Sequence, residues 1–402
     1  MSLSSCNSPL IRYLRRLHEE EKFTMSTEML YHIASQFQLP GEIVRIEKFG
    51  TGLINTSYRS IITHGDSSSS YIHQKINQHV FPEPAEVIEN MVVVTTHIRE
   101  KLRQDRPIHR RATLELVPTK DGQFSYLDEN GDYWRTTYFI PDNIVYDTVQ
   151  SPHHAREAGR ILGEFQRIVS DIPAGRLHDT LPGFHDTPNY YERFLHSLDN
   201  PHSDRRIEAR KHEADVCELV RQLKQREALA PLLISALKDG TLQERVVHND
   251  PKINNILFDC HTDCGICLID LDTVKNGLIH FDYGDCLRTV ANPPGEETRN
   301  IQEVYFDLKS FEALTEGYLK EAQSFLTDAD IDYLIDSIKV IVFEQTIRFL
   351  HDYLQGDVYY TPAYPTHNLS RALGQCALLR DIEKKEASMR TMVTRYFQQS
   401  HG

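Results

Sequence analysis

The chain has 402 residues, 40% apolar and 25% charged, a composition that excludes disorder and collagen-like repeats and is long enough to bury a core without disulfides or metals. Lys+Arg 44 against Asp+Glu 58 leaves a net charge of −14 with no basic tract, so nucleic acid and anionic membranes are poor partners, whereas a small anionic ligand needs only a local positive site. The best apolar stretch, Leu229 to Leu237, is about half the ~20 residues of a membrane span, and seven cysteines, an odd number spread along the chain, read as reduced thiols of a cytoplasmic protein.

Residues before about Met25 are polar and weakly patterned, without the apolar core of a signal peptide; they read as a loose extension or an upstream-start artefact. With a short helix over Thr27 to Phe37 they form an N-terminal segment, residues 1–41. The next block, 42–141, is mainly strand. Ile43 to Ile46 enters, Phe49-Gly50-Thr51-Gly52 interrupts, Ser57 to Ile62 leaves, and the serine run Ser67 to Ser70 separates that strand from Tyr71 to Ile76. Val87, Met91, Val94 and Ile98 carry helical spacing. Asp121-Gly122 and Asn130-Gly131 predict two hairpins, because these pairs supply the φ > 0 of tight turns. The strand Trp134 to Ile140 stops at Pro141.

From 142 to 402 the pattern is mostly helical. Ala158, Ile161, Leu162, Phe165, Ile168 and Val169 form one apolar stripe, and Val216, Val220 and Leu223 begin another. A β-rich island at Arg245 to Thr273 precedes helices around Val304 to Phe325 and Ile331 to Leu354. The fold class expected is α+β: an antiparallel sheet lobe, then a mainly helical lobe, with a ligand in the cleft between them.

The island carries the chemistry. His248-Asn249-Asp250-Pro251-Lys252-Ile253-Asn254-Asn255 sits between two apolar runs, and Ile269-Asp270-Leu271-Asp272 ends the next strand. A hairpin turning at Thr262 to Gly265 brings both polar ends to one edge. Phosphoryl transfer needs one carboxylate near the acceptor hydroxyl, plus an amide oxygen and a further carboxylate to hold Mg²⁺ against phosphates. Two like charges about 4 Å apart repel by roughly 4 kcal/mol at an effective dielectric near 20, so carboxylates facing a polyphosphate require a divalent cation. No G-x-x-x-x-G-K-[ST] occurs, which excludes the P-loop sugar kinases.

These two motifs, at this separation, resemble the catalytic and metal loops of the aminoglycoside phosphotransferase/choline kinase superfamily, which has the protein-kinase-like two-lobed fold. Phe49 to Tyr58, Gln74 to Asn77, Leu177 to Pro188 and Arg348 to Asp357 are similar to stretches of N-acetylhexosamine 1-kinases. The resemblance runs from about Glu42 to the end of the helical region and implies transfer of the ATP γ-phosphate to the anomeric hydroxyl of GlcNAc or GalNAc. It implies a nucleotide-binding lobe at 42–141 and a catalytic, sugar-binding lobe at 142–402. It further implies Asp250 as catalytic base in contact with the sugar, and Asn255 and Asp270 as Mg²⁺ ligands. His248 and Asp272 stand behind them, His248 as a brace and Asp272 as a second carboxylate or a turn cap. Gly50 and Gly52 match the loop over the phosphates, although Asn55 stands where a third glycine is usual. Lys75 matches the lysine on the α/β-phosphates, with Glu86 or Glu89 as its helix partner. Phe139 and Ile140 match the hinge facing adenine; Arg348 and Tyr359 match sugar contacts.

Taken without the resemblance, Gly50 and Gly52 are a turn, Lys75 a solvated strand lysine, Arg348 a surface arginine and Tyr359 ordinary packing. Cys260, His261, Cys264 and Cys267 have zinc-like spacings, but they fall on the predicted hairpin without a second ligand pair, and strand alternation separates neighbours. The rival functions are a same-fold kinase for an aminoglycoside, an amino alcohol or another sugar, and a catalytically silent nucleotide-binding protein. The presence of all of Lys75, Asp250, Asn255 and Asp270 argues against the second.

Overall fold

A computed structural model describes residues 25–50, 54–105, 111–173, 175–202 and 211–399. The chain divides into two compact units, the described residues of Met1–Ala85 with Glu115–Phe139, and of Glu86–Leu114 with Ile140–Gly402.

The first unit opens on helix α1 (Thr27–Ala34), whose first turn is capped by the Ser26 hydroxyl accepting the Met29 N–H. Strands β1 (Glu42–Lys48), β2 (Thr56–His64), β3 (Ser67–Lys75), β4 (Tyr126–Leu127) and β5 (Tyr133–Tyr138) form one antiparallel sheet in the order β1-β2-β3-β5-β4. The serine run does not separate strands: Ser67 to Ser70 is the first half of β3, paired with His64 to Ile61. Serine's weak strand preference loses to the register set by the β2–β3 hairpin. Asn130-Gly131 does turn a hairpin between β4 and β5, whereas the Asp121-Gly122 turn is flanked only by the isolated bridges Phe37–Thr119 and Leu116–Thr137. Leu30, Ile33 and Phe37 pack with Ile62, Tyr71, Val117 and Trp134 as one core.

The second unit contains nearly all of α2 (Pro84–Asp105), then β6 (Asn143–Ile144), α3 (Pro152–Val169), α4 (Thr187–Asp199), α5 (Glu213–Lys224) and α6 (Leu232–Lys238). The island follows as β7 (Arg245–Val247), β8 (Ile256–Asp259), β9 (Gly265–Leu268) and β10 (Lys275–Gly277). Helices α7 (Ile279–Val290), α8 (Leu308–Ala322), α9 (Asp328–Gln355) and α10 (His367–Gln399) complete it. β8 and β9 pair antiparallel, Ile256 opposite Leu268, and β7 pairs with β10. Sequence periodicity does not reveal α7, because every residue but Thr289 is buried and no polar face marks the period. Helices α3 and α8 cross at glycines: a Cβ on Gly159 would lie 2.0 Å from the Leu314 carbonyl oxygen, and one on Gly317 would lie 2.1 Å from that of Arg156.

Candidate active site

The segment His248 to Asn255 leaves β7 and reaches β8 through a 3-10 turn at Ile253–Asn255. Its backbone is held from below by Asp282 on α7. One carboxylate oxygen accepts the Asn249 N–H at 2.6 Å, and the other accepts the His248 N–H at 2.9 Å and the Gln166 amide at 2.9 Å. Burial pushes the Asp282 carboxyl upward, opposed by His248 and by these donors. Asn249, with φ of 68°, is also pinned through its side-chain amide to the Thr273 carbonyl at 2.8 Å. Asp282 was not singled out in the sequence; on an unrecognised helix it had no motif to mark it.

His248 is fully buried and spans two loops. Its Nδ1 accepts the Asp250 N–H at 3.2 Å, so the opposite nitrogen is the donor, reaching the Ile269 carbonyl at 2.9 Å. The same junction is closed by the Ile269 N–H donating to the Asn255 carbonyl at 2.9 Å. Asp270 therefore begins one residue from a main-chain link to Asn255, in a left-handed conformation with φ of 63°. Asp272 follows, buried, in the short 3-10 turn Leu271–Thr273.

Around Asp250 the groups are mutually braced. Its Oδ2 accepts from Lys252 Nζ at 2.8 Å and from Asn255 Nδ2 at 3.1 Å, and the same amide donates to the Asp250 carbonyl at 2.8 Å. Burial alone would lower the Lys252 ammonium, but Asp250, Asp270 and Asp285 hold it above the ordinary lysine range. Lys252, quoted in the motif but given no role from sequence, is the cation of this cluster. With its Nδ2 on Asp250, Asn255 keeps its amide oxygen as an acceptor, and together with the Asp270 carboxylate it is a hard-oxygen donor pair whose chemistry fits Mg²⁺.

The sugar-contact candidates lie in the same unit. Arg348 on α9 has its guanidinium carbon 5.0 Å from the Tyr190 ring, 5.2 Å from Phe184, 5.7 Å from Tyr360 and 5.8 Å from Tyr359. Tyr359 is 58% exposed. Its segment is fixed by Asp352, whose carboxylate accepts the N–H groups of Val358, Tyr359 and Tyr360 at 2.8–2.9 Å. Leu177 to Pro188 is irregular for most of its length, until Asp186 caps α4.

In the first unit, Gly50 has φ of 75° with nothing within 4 Å of a Cβ placed on it, while Gly52 lies outside the described residues. Lys75 Nζ meets Asp132 Oδ2 at 2.6 Å, and in the second unit Glu86 and Glu89 both face His178, at 3.6 and 2.9 Å. The Phe139 ring lies 4.1 Å beneath the Arg59 guanidinium and meets Phe49 edge-on at 5.8 Å. Ile140, in the second unit, buries its side chain with Leu257 and Cys267, so what it can offer a ligand is main chain. Of the zinc-spaced residues Cys267 is buried and Cys264 exposed; exposed Cys260 and His261 have donor atoms within 4.8 Å of one another and of Asp142.

A carboxylate on a clamped loop, with an amide, a second carboxylate and a cation nearby, is a donor set that can serve phosphoryl transfer. The chain belongs to the phosphotransferase enzyme family, whose sequence profile matches residues 45–314. Among solved structures it is similar to a spectinomycin phosphotransferase in complex with ADP and spectinomycin, at 10% identity and a TM-score of 0.55, covering 89% of this chain and 98% of that one. A choline kinase from Cryptosporidium parvum Iowa II matches at 12% identity and a TM-score of 0.54, covering 92% and 99%. An aminoglycoside phosphotransferase from Alicyclobacillus acidocaldarius matches at 15% and 0.52, covering 90% and 96%. The fold is the protein-kinase-like one these enzymes share.

Proposed function

We propose that the protein is an ATP- and Mg²⁺-dependent kinase that phosphorylates the anomeric hydroxyl of an N-acetylhexosamine, GlcNAc or GalNAc, to the sugar 1-phosphate. The observation that carries the chemistry is the convergence of Asp250, Lys252 and Asn255 on one clamped loop with Asp270 beside it. The structures compared support nucleotide use, since one of them holds ADP. Asp250 orients and deprotonates the sugar hydroxyl, and the oxygen attacks the γ-phosphorus in line with the leaving ADP; no covalent phosphoenzyme is needed. Asn255 and Asp270 would hold Mg²⁺, which would supply charge neutralisation for the phosphates. Lys75 and Gly50, with Gly52, serve the phosphates, and Phe139 and the Ile140 main chain serve the base.

Arg348 favours a neutral acceptor. A ring of four aromatic side chains is the chemistry that holds an ammonium group, as choline or an aminoglycoside would present, but here Arg348 already fills it. A second cation beside it would be repelled, whereas a sugar hydroxyl or acetamide oxygen can accept from it. The test is ADP release from Mg-ATP across GlcNAc, GalNAc, glucose, galactose, choline and kanamycin, with phosphorus NMR of the product and Asp250→Asn alongside. The expected outcome is an anomeric phosphate on an N-acetylhexosamine, at least about 10³-fold slower in the variant. Turnover of choline or kanamycin alone would overturn the acceptor; ATP binding without turnover of any acceptor would favour the silent protein.

A further inference from the structure

His185 and Glu344 have no part in the mechanism above, yet both are almost wholly buried, with side chains 4% and 2% exposed. Isolated ionisable groups are rarely left in such surroundings unless they are paired. His185 Nδ1 lies 2.9 Å from Glu344 Oε1, and the Thr187 hydroxyl donates to Glu344 Oε2 at 2.7 Å. Although burial raises the Glu344 carboxyl, His185 and Arg348 outweigh it and hold it below the usual range, so the carboxylate is charged.

The pair reaches outward on both sides. Glu344 Oε1 is 3.7 Å from Arg348 Nη1, one helical turn along α9. His185 Nε2 faces the Asn249 carbonyl at 3.3 Å, the main-chain group immediately before Asp250. Both ends of that contact sit in left-handed backbone, φ of 62° at His185 and 68° at Asn249, a conformation that non-glycine residues keep only where their surroundings enforce it. The imidazole is also stacked on Phe281 at 4.6 Å, and the next residue, Asp282, takes the Asn249 N–H. Asn249 is thus held at its N–H by Asp282, at its carbonyl by His185 and at its side chain by Thr273.

We infer that His185 and Glu344 form a two-armed positioning dyad, Glu344 setting the guanidinium of Arg348 among its four rings and His185 setting the carbonyl that precedes Asp250, so that the acceptor-gripping and proton-accepting groups share one register. The inference rests on the kinase reading above and on Arg348 contacting the acceptor. Neither residue touches substrate; each acts through another.

The two arms predict different kinetics. In the full-length protein, Glu344→Gln should raise the acceptor KM roughly tenfold with kcat changed less than threefold, whereas His185→Gln should lower kcat roughly tenfold with acceptor KM nearly unchanged. The KM for Mg-ATP should stay within twofold in both. Because the residues act together, the double variant should lose less than the product of the single losses. Folded variants with both constants within twofold of wild type, parallel losses in the ATP KM, or strictly multiplicative effects would each overturn the dyad. If Glu344→Gln does not fold, Thr187→Val against Thr187→Ser decides: the valine should raise acceptor KM about threefold and the serine restore it, and equal values would overturn the inference. A wild type active only on another acceptor refutes the sugar reading, and the same constants are then measured on that acceptor. If no acceptor turns over, amide exchange decides. His185→Gln should speed exchange at the amides of His248, Asn249 and Asp250 at least tenfold, and unchanged exchange would overturn the dyad.

Discussion

Lys252 shows how one side chain can be set by its neighbours. Its ammonium is 2.8 Å from Asp250 Oδ2, with Asp270 and Asp285 adding to the field that keeps it protonated. Without it the carboxylates around the loop would repel one another uncompensated. Lys252→Met keeps the aliphatic stem and removes the charge. It should lower kcat about 10²-fold, as expected for losing one preorganised donor, with a smaller change in acceptor KM, measured by steady-state ADP release. Sequence spacing put Asp250 and Asn255 on one short loop, and the resemblance implied their roles. It could not name Asp282, Gln166 or Glu344, which reach the loop and its surroundings from helices distant in sequence.

At the level of elements, the α3–α8 crossing is the feature most exposed to a single methyl group. Gly159 and Gly317 let the two backbones touch, so that a Cβ on either would stand about 2 Å from a carbonyl oxygen of the other helix. The obstruction is backbone and cannot rotate away. Gly159→Ala should therefore destabilise the second unit by about 3 kcal/mol or more in urea unfolding, at the upper end of overpacking penalties. Gly374, inside α10, is the control: its nearest foreign atom is Ile301 Cδ1 at 3.8 Å, so Gly374→Ala should stabilise by about 0.5–1 kcal/mol. In sequence the two glycines look alike, each a helix interior glycine.

Across the molecule, stability should fall in mild acid. His73 on β3 is buried between the Thr136 and Ser60 hydroxyls, at 2.8 Å each, and burial lowers its pKa from 6.5 to about 4; burial does the same to His280 in the second unit. The unfolded chain thus binds more protons than the native one between those values. Each histidine's contribution is complete above about pH 6.5 and is lost as pH falls towards 4, at a slope of up to about 1.4 kcal/mol per pH unit. Trp134, the one tryptophan, is buried in the first unit. Urea unfolding followed by its fluorescence at pH 7, 6 and 5 should show that slope, and His73→Gln should remove about one proton's worth.

Hairpin chemistry at Asn130-Gly131, the 3.6-residue stripe of α3, and the His248–Asn255 and Ile269–Asp272 motifs are local properties of consecutive residues, and the sequence alone determined them. Among the described residues no helix is long and apolar enough to cross a membrane, consistent with the absence of any long apolar run. What joins residues far apart was decided only by the tertiary structure. Ser67 to Ser70 became strand because β2 lay beside it, and α7 escaped notice because burial on every side removed its period. Lys75 met Asp132, and Glu344 came to link Arg348 with His185 and, through it, Asn249. Side-chain type and spacing state which chemistry is available; only packing fixes which groups come within hydrogen-bonding distance, since that depends on where separate helices and loops settle against one another.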